Sequence, residues 1–371
     1  MSSNSIKLNT SSTPEQAGRW VVTKHGPPSV LKWEPVDLSS LDPDRNLEGK
    51  GVLVRIIVAG IAGVDNIQRV GGYPDPRCKT PGYTTGYDIV GEIVSVGKSV
   101  PKEIGLHVGD RVASLCMFGA HATHILLPYD EVMRLEKTDD PIKIGALPLN
   151  YMTAWGMLKH SGVHLPPGST ILIGSASGGL GTAMAQLVTA FKMDLKMIGT
   201  CSPSKFDYVR SLGVQPIDRT APDIVEQVLK LTNGQGVDVA YDPVGSKESS
   251  QNSSAAAKPE TGRVVVVGVM DSIASDGSGM SKNPQEVFAE ILQPPRITFW
   301  ALDTSFFKKP EIAEFYAVVD KVRSGALNPV VFKSLRLSQG VEAHELLVNG
   351  SSVKGKMLFI VEEALAAQHG I

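Results

Sequence analysis

The most restrictive stretch of this chain is Thr170-Ile171-Leu172-Ile173-Gly174-Ser175-Ala176-Ser177-Gly178-Gly179-Leu180-Gly181. A short apolar run ends in glycine. Leu180, Met184, Leu187, Val188 and Phe191 then recur at helical spacing. A strand therefore enters a tight turn and leaves it as a helix. Glycines at 178, 179 and 181 are expected to permit positive φ, close approach of a pyrophosphate and close packing of helix on strand. The helix N-terminus adds free N–H groups and partial positive charge, which suit phosphate. Many αβ turns carry glycine for packing alone. The strand before and the helix after favour a dinucleotide here, with Ser177, Gly178, Gly179, Leu180 and Gly181 as its cradle.

The surrounding pattern agrees. Leu195–Gly199, the helical Lys205–Leu212, Ile217, the helical Ile224–Leu231, Val237–Tyr241 and Val264–Val267 alternate as βαβ units of a parallel sheet. Val264–Val267 is unbroken valine, as a strand buried on both faces requires. Gly268 and Val269 follow it, at the crevice of a doubly wound sheet. Two stretches carry weaker signals. Ser246–Lys258 reads as a poorly amphipathic helix at best, and Asp271–Asn283, rich in Ser and Gly, as a mobile loop. A helix over Pro284–Leu292 and a strand over Ile297–Leu302 are expected next.

Earlier in the chain, Val52–Val58, Ile89–Val96, Arg111–Leu115 and His124–Pro128 are β-branched or apolar runs separated by Gly, Pro and Asp clusters. They predict an all-β, barrel-like module from Trp20 to about Leu147. Late in the chain, helices over Glu311–Ser324 and around Val341–Val348 precede a strand over Lys356–Val361. Residues 1–17 are polar and predict a disordered tail.

An NAD site usually places an acid about 20 residues beyond the glycines, on the ribose hydroxyl. This chain has Thr200-Cys201-Ser202-Pro203-Ser204-Lys205 there, with no acid. The hydroxyls of Thr200 and Ser202, with Lys205 and with Arg219 after the following strand, suit a 2′-phosphate and so NADPH. The alternative for Lys205 is an ordinary solvated helix residue.

Composition excludes other classes. The 371 residues, 42% apolar and 20% charged, suit two or three globular domains. A net charge of −2 and no basic stripe exclude a nucleic-acid binder. Three scattered cysteines and no CxxC pair argue against a disulfide framework or a cysteine-rich zinc site. No signal-peptide pattern and no run of about 18 apolar residues is present, so a cytoplasmic protein without membrane spans is expected.

In its ordered motifs the chain resembles the medium-chain dehydrogenase/reductase superfamily, in the zinc-independent quinone-oxidoreductase and enoyl-reductase branches. The resemblance runs from Trp20 to Val361. Asp65 with Arg69-Val70-Gly71-Gly72-Tyr73-Pro74 matches a D-x3-R-x-G-x-Y segment. Gly86-Tyr87-Asp88-Ile89-Val90-Gly91-Glu92-Ile93 matches a G-x-D-x-x-G-x-V strand. Val108–Val112, Leu147–Trp155, Asp242-Pro243-Val244-Gly245 and Gly355-Lys356 fit as well. The resemblance implies an α/β architecture with a GroES-like β-barrel catalytic domain over 18–148 and 304–371. A Rossmann domain with a doubly wound parallel sheet, over 149–303, would bind NADPH. It also implies a site in the cleft between the domains, and a homodimer or other oligomer joined through the nucleotide domain.

Zinc is not expected. Relatives that use it carry cysteine where this chain has Ala62 and histidine where it has Tyr87. His121 and His124, the nearest histidine pair, lie on a strand-like stretch and would point to opposite faces. Without that Lewis acid a simple alcohol dehydrogenase is disfavoured. What remains is hydride transfer to an enone, enoyl or quinone substrate with a proton donor in the cleft. Tyr73 is the candidate catalytic donor; its alternative is a structural tyrosine that lines the cleft. By resemblance Thr153 lies near the nicotinamide with Asn150 on the same wall, and Lys356 reaches the pyrophosphate. Asn150 and Thr153 also suit helix-entry hydrogen bonds. An asparagine of the family is replaced by Ala62. This loss keeps open a redox-silent member that binds NADPH or another ligand as a partner-binding module or in a non-redox step.

Overall fold

The computed structural model describes residues 16–308, 312–350 and 353–371. The tail expected over 1–17 lies, but for its last two residues, outside the described residues. The strands in chain order are β1 (Gly18–Val22), β2 (Leu31–Pro35), β3 (Gly51–Ile61), β4 (Asp88–Val96), β5 (Arg111–Leu115), β6 (His124–Pro128) and β7 (Met133–Arg134). Then follow β8 (Thr170–Ile173), β9 (Lys196–Cys201), β10 (Gln215–Asp218), β11 (Val239–Asp242), β12 (Arg263–Val266), β13 (Ile297–Phe299), β14 (Val331–Arg336) and β15 (Lys356–Ile360).

Two main sheets result. In the larger sheet, ordered β14-β15-β3-β4-β5-β7, β6 also pairs with β3. The first half of β3, Gly51–Arg55, pairs with β6, and its second half, Val58–Ile61, pairs with β15. One long, almost wholly buried strand thus joins the early chain to the late chain. Because β15 is antiparallel to β3, the chain that leaves after residue 134 must return to close this sheet. This sheet is therefore built from two separate segments of the chain.

The second sheet is ordered β10-β9-β8-β11-β12-β13 and is parallel throughout. Order reverses between β8 and β11, which opens a crevice at the carboxyl end of β8. The valines of β12 are fully buried, as a two-sided parallel strand demands.

Two expectations change. Ser246–Lys258 does form a helix, Lys247–Ala256. Amphipathicity is not its cause. Ser246 and Ser249 cap each other reciprocally, and the Ser249 and Ser250 hydroxyls donate to the buried Asp242 carboxylate. Asp271–Asn283 is a hydrogen-bonded hairpin with an isolated bridge between Ile273 and Met280. The expected strand from Ile297 ends at Phe299.

Candidate functional site

The glycine turn sits at the reversal point, between β8 and the helix Gly179–Ala190. The glycines act otherwise than the sequence predicts. None of Gly178, Gly179 and Gly181 has positive φ; Ser175 does, at 50°. Glycine is required by approach instead. A Cβ on Gly181 would lie 2.6 Å from Ala176 Cα, and one on Gly179 would lie 2.1 Å from Asn150 Nδ2. Gly178 has only the Ser175 carbonyl near that position, at 3.2 Å, so the turn stays open there. Ser177 is buried, and its carbonyl accepts from Gly355 N at 3.2 Å, which ties the late chain onto the turn. Thr200 holds the turn from the next strand: its carbonyl accepts from Ala176 N and its Oγ1 from Ser175 N.

Beyond β9 lies a group of cations. Lys205 is buried and donates to the Val353 carbonyl at 2.9 Å. Burial, then the charges of Arg219 and Lys354, hold its ammonium below the ordinary lysine value. None of these three side chains forms an ion pair among the described residues. Ser202 sits beside them and makes no side-chain cap to the following turn. Lys354 lies 5.5 Å from the Tyr208 ring centroid, and the Tyr208 hydroxyl shares a hydrogen bond with Thr182. Three cations gather here with no carboxylate paired to any of them among the described residues, although Asp218 lies within electrostatic reach of Arg219; at the end of a strand that lacks the usual acid, the group fits a 2′-phosphate.

Lys354 and Tyr208 escape sequence reasoning, which assigns the basic role to Lys356. In an extended chain residues 354 and 356 share a face. Gly355 at φ 77° breaks that parity. Lys356 is 1% exposed and sits 3.1 Å from both carboxylate oxygens of Asp88. Lys356, to which the resemblance gives a pyrophosphate contact, here holds its ammonium in a buried ion pair. Gly60 makes room for the pair, since a Cβ there would lie 1.8 Å from Asp88 Oδ1. Asp88 also accepts from Leu149 N at 3.1 Å, fixing the π-helical turn Leu147–Tyr151 that carries Asn150.

Asn150 and Thr153 lie on continuous helical backbone, and neither caps it. Thr153 is buried at the start of the helix Met152–His160. Opposite them, Gly268 packs on the turn after β11, where a Cβ on Gly245 would lie 1.9 Å from the Gly268 carbonyl. Val269 is buried next to it.

Tyr73 follows the Gly71-Gly72 turn of the catalytic domain. Gly71 has φ 76°, and a Cβ there would strike the His25 ring at 2.5 Å. The half-buried Tyr73 ring meets Tyr87 and Phe118 edge-on, each at 5.8 Å between centroids. It also packs against the nucleotide-domain cluster that contains Val269. Burial pushes its phenol up, and the Tyr87 hydroxyl partly offsets this. Tyr87, at the position where zinc-using relatives carry histidine, thus belongs to the aromatic wall behind Tyr73. Among the described residues no three His, Cys, Asp or Glu side chains converge as a metal site.

Beneath this wall Arg69 is fully buried. It donates to the Gly26 and Gly277 carbonyls at 2.9 and 3.1 Å, to Asn66 Oδ1, and to His344 Nδ1 at 2.8 Å. Burial, His121 and Arg69 hold His344 well below the ordinary histidine value. Unfolded, His344 would take a proton below about pH 6.5; folded, it resists. Its contribution to stability is therefore present above that pH and declines as pH falls. The expected slope is up to about 1.4 kcal/mol per pH unit. The raised pKa of buried Asp65 acts with the opposite sign at lower pH. The effect is therefore read as the difference between wild type and His344→Gln in denaturant midpoints from pH 7.5 to 5.5, and parallel profiles would contradict it.

Comparison with known proteins agrees with this architecture. The alcohol dehydrogenase GroES-like domain family matches residues 48–137, and the zinc-binding dehydrogenase family matches 179–289. Human quinone oxidoreductase is 26% identical over 344 residues, covering 92% of this chain and 96% of that protein. The 2-haloacrylate reductase of a Burkholderia species is 29% identical over 336 residues, covering 88% and 94%. The zebrafish synaptic vesicle membrane protein VAT-1 homolog is 32% identical over 204 residues, 55% of this chain but only 40% of that protein. Escherichia coli quinone oxidoreductase, solved with NADPH, superposes with a TM-score of 0.76 at 23% identity, covering 93% of this chain and all of that one. With both halves matched in order, the chain belongs to the medium-chain dehydrogenase/reductase superfamily and is similar to its quinone oxidoreductases.

Proposed function

We propose that this protein is an NADPH-dependent reductase of activated double bonds, acting on an enone, enoyl or quinone substrate. The observation that carries this reading is the cation group of Lys205, Arg219 and Lys354 beside the glycine turn, with the Tyr73 phenol across the cleft. Names among the relatives support it: quinone oxidoreductase and 2-haloacrylate reductase.

The residues divide the work. Ser177, Gly178, Gly179, Leu180 and Gly181 present helix-terminal N–H groups to the pyrophosphate. Ser202, Lys205, Arg219 and Lys354 hold the 2′-phosphate, with Thr200 bracing the turn. Asn150, Thr153, Gly268 and Val269 line the nicotinamide end. Bound NADPH supplies the hydride. Tyr73 holds the substrate oxygen by hydrogen bond and keeps a proton available at its Oη. Its raised pKa keeps that proton in place at neutral pH. Tyr87 and Phe118 orient the ring and exclude water.

We assign 18–148 with 304–371 to the catalytic domain and 149–303 to the nucleotide domain, a division that follows the two sheets. We further propose a cytoplasmic homodimer. The edge strand β13, with Phe299 43% exposed and its ring tilted against that of Phe288 at 4.7 Å between centroids, offers the surface. No helix among the described residues is long and apolar enough to cross a membrane.

NADPH consumption with a panel of enones and quinones tests the activity; no consumption with any of them favours the redox-silent alternative. Lys205→Ala tests the cofactor. It should weaken NADPH binding by roughly tenfold or more, as expected for a charge-assisted contact, and leave NADH nearly unchanged. Equal losses for both cofactors would remove the phosphate role.

A further inference from the structure

The hairpin over residues 270–281 leaves the nucleotide domain directly after Gly268 and Val269. Its own bonds shape it: Ala274 N donates to the Gly279 carbonyl at 2.9 Å, and Gly277 N to Ala274 and Ser281 N to Ser272, both at 2.8 Å. It then lands on the catalytic domain around the helix Gly63–Arg69. Arg69 Nη2 holds the Gly277 carbonyl at 3.1 Å. Two methionines flank that anchor. A Cβ on Gly63 would lie 2.8 Å from Met270 Cε, and a Cβ on Gly72 would lie 2.3 Å from Met280 Sδ.

Neither Gly63 nor Gly72 has positive φ. Backbone conformation does not require glycine at either place; the methionine side chains occupy the space that a Cβ would take, most closely at Gly72. Both places border the reacting region. Gly72 precedes Tyr73, and Gly63 follows Ala62, where the family's asparagine is missing. Met270 keeps 37% of its surface exposed. Ala62, Gly63, Gly72, Met270 and Met280 offer no side-chain donor or acceptor. A charged or hydroxylated substrate arm placed there would lose its water without replacement. A thioether on an unbranched chain adapts to apolar groups of varied shape.

We propose that Met270 and Met280 are specificity-determining residues, forming a pliable apolar wall that seats an extended alkyl substituent of the enone. This rests on the reductase reading above. Small or charged acceptors gain nothing from the wall.

The test uses the full-length protein with NADPH and a series of straight-chain 1-alken-3-ones from four to ten carbons. In the wild type kcat/KM should rise roughly threefold per added methylene while the chain lies against the wall. In Met270→Ala/Met280→Ala the rise should fall to less than about 1.5-fold per methylene, since the area that covers the chain is gone. Met280→Leu, which restores apolar area, should recover part of it. The matching saturated ketones, titrated against bound NADPH by fluorescence, report binding without chemistry. Equal slopes in wild type and double variant would overturn the wall. A wild type that oxidises NADPH with no alkenone, yet binds the ketones with a slope that the double variant loses, would overturn the reductase reading and keep the wall.

Discussion

Tyr73→Phe is expected to lower kcat on the best enone by ~10²–10³, with NADPH affinity unchanged. Hydride addition to a conjugated double bond builds negative charge on the substrate oxygen, and a donor aimed there acts mainly in the transition state. Phenylalanine keeps the edge-on contacts with Tyr87 and Phe118, so the ring stays packed and only the hydroxyl is lost. The glycine turn and Lys205 lie on other elements, which is why cofactor binding should not move. A near-wild-type kcat with a changed KM would make Tyr73 a lining residue and pass the donor role elsewhere, leaving the reductase assignment intact.

Lys356→Met should destabilise the fold by about 3–5 kcal/mol, because it strands the Asp88 carboxylate at a site closed to bulk solvent. Among the described residues the only other hydrogen bond to that carboxylate is from Leu149 N. Asp88 and Lys356 are both essentially unexposed, so the charge left behind has no solvent to relax into. Adding Asp88→Asn to Lys356→Met should recover much of the loss, since a neutral amide tolerates the site better than an unpaired carboxylate. Denaturant midpoints of the two variants measure this. A Lys356→Met protein of unchanged midpoint but weakened NADPH binding would instead restore the pyrophosphate role that the sequence suggests for it. The same variant should loosen the π-helical turn that carries Asn150, so a smaller loss of cofactor affinity accompanies the loss of stability.

The two sheets were legible in the sequence because hydrophobic periodicity is a local property. Val264–Val267 and the run into Gly174 announce a parallel sheet without reference to anything distant. The missing acid after β9 is equally local, and the proposed preference for NADPH rests on it. Local pattern failed where one residue's role depends on a partner far along the chain. The Ser-rich stretch after Asp242 is a poor helix by composition, yet the buried Asp242 carboxylate collects its serines and starts one.

By itself, then, the sequence determined the class of fold and the strand–glycine-turn–helix unit, since each follows from residue types within a short local stretch. Only the tertiary structure decided how the basic residues of the late chain divide. Gly355 turns Lys354 towards Lys205 and Arg219, while Lys356 enters the core to meet Asp88, 268 residues earlier. It also decided that the glycines serve close approach rather than positive φ, and that the Ser/Gly-rich segment bridges the domains. Those outcomes depend on which atoms arrive from other elements, and spacing along one chain carries no record of that.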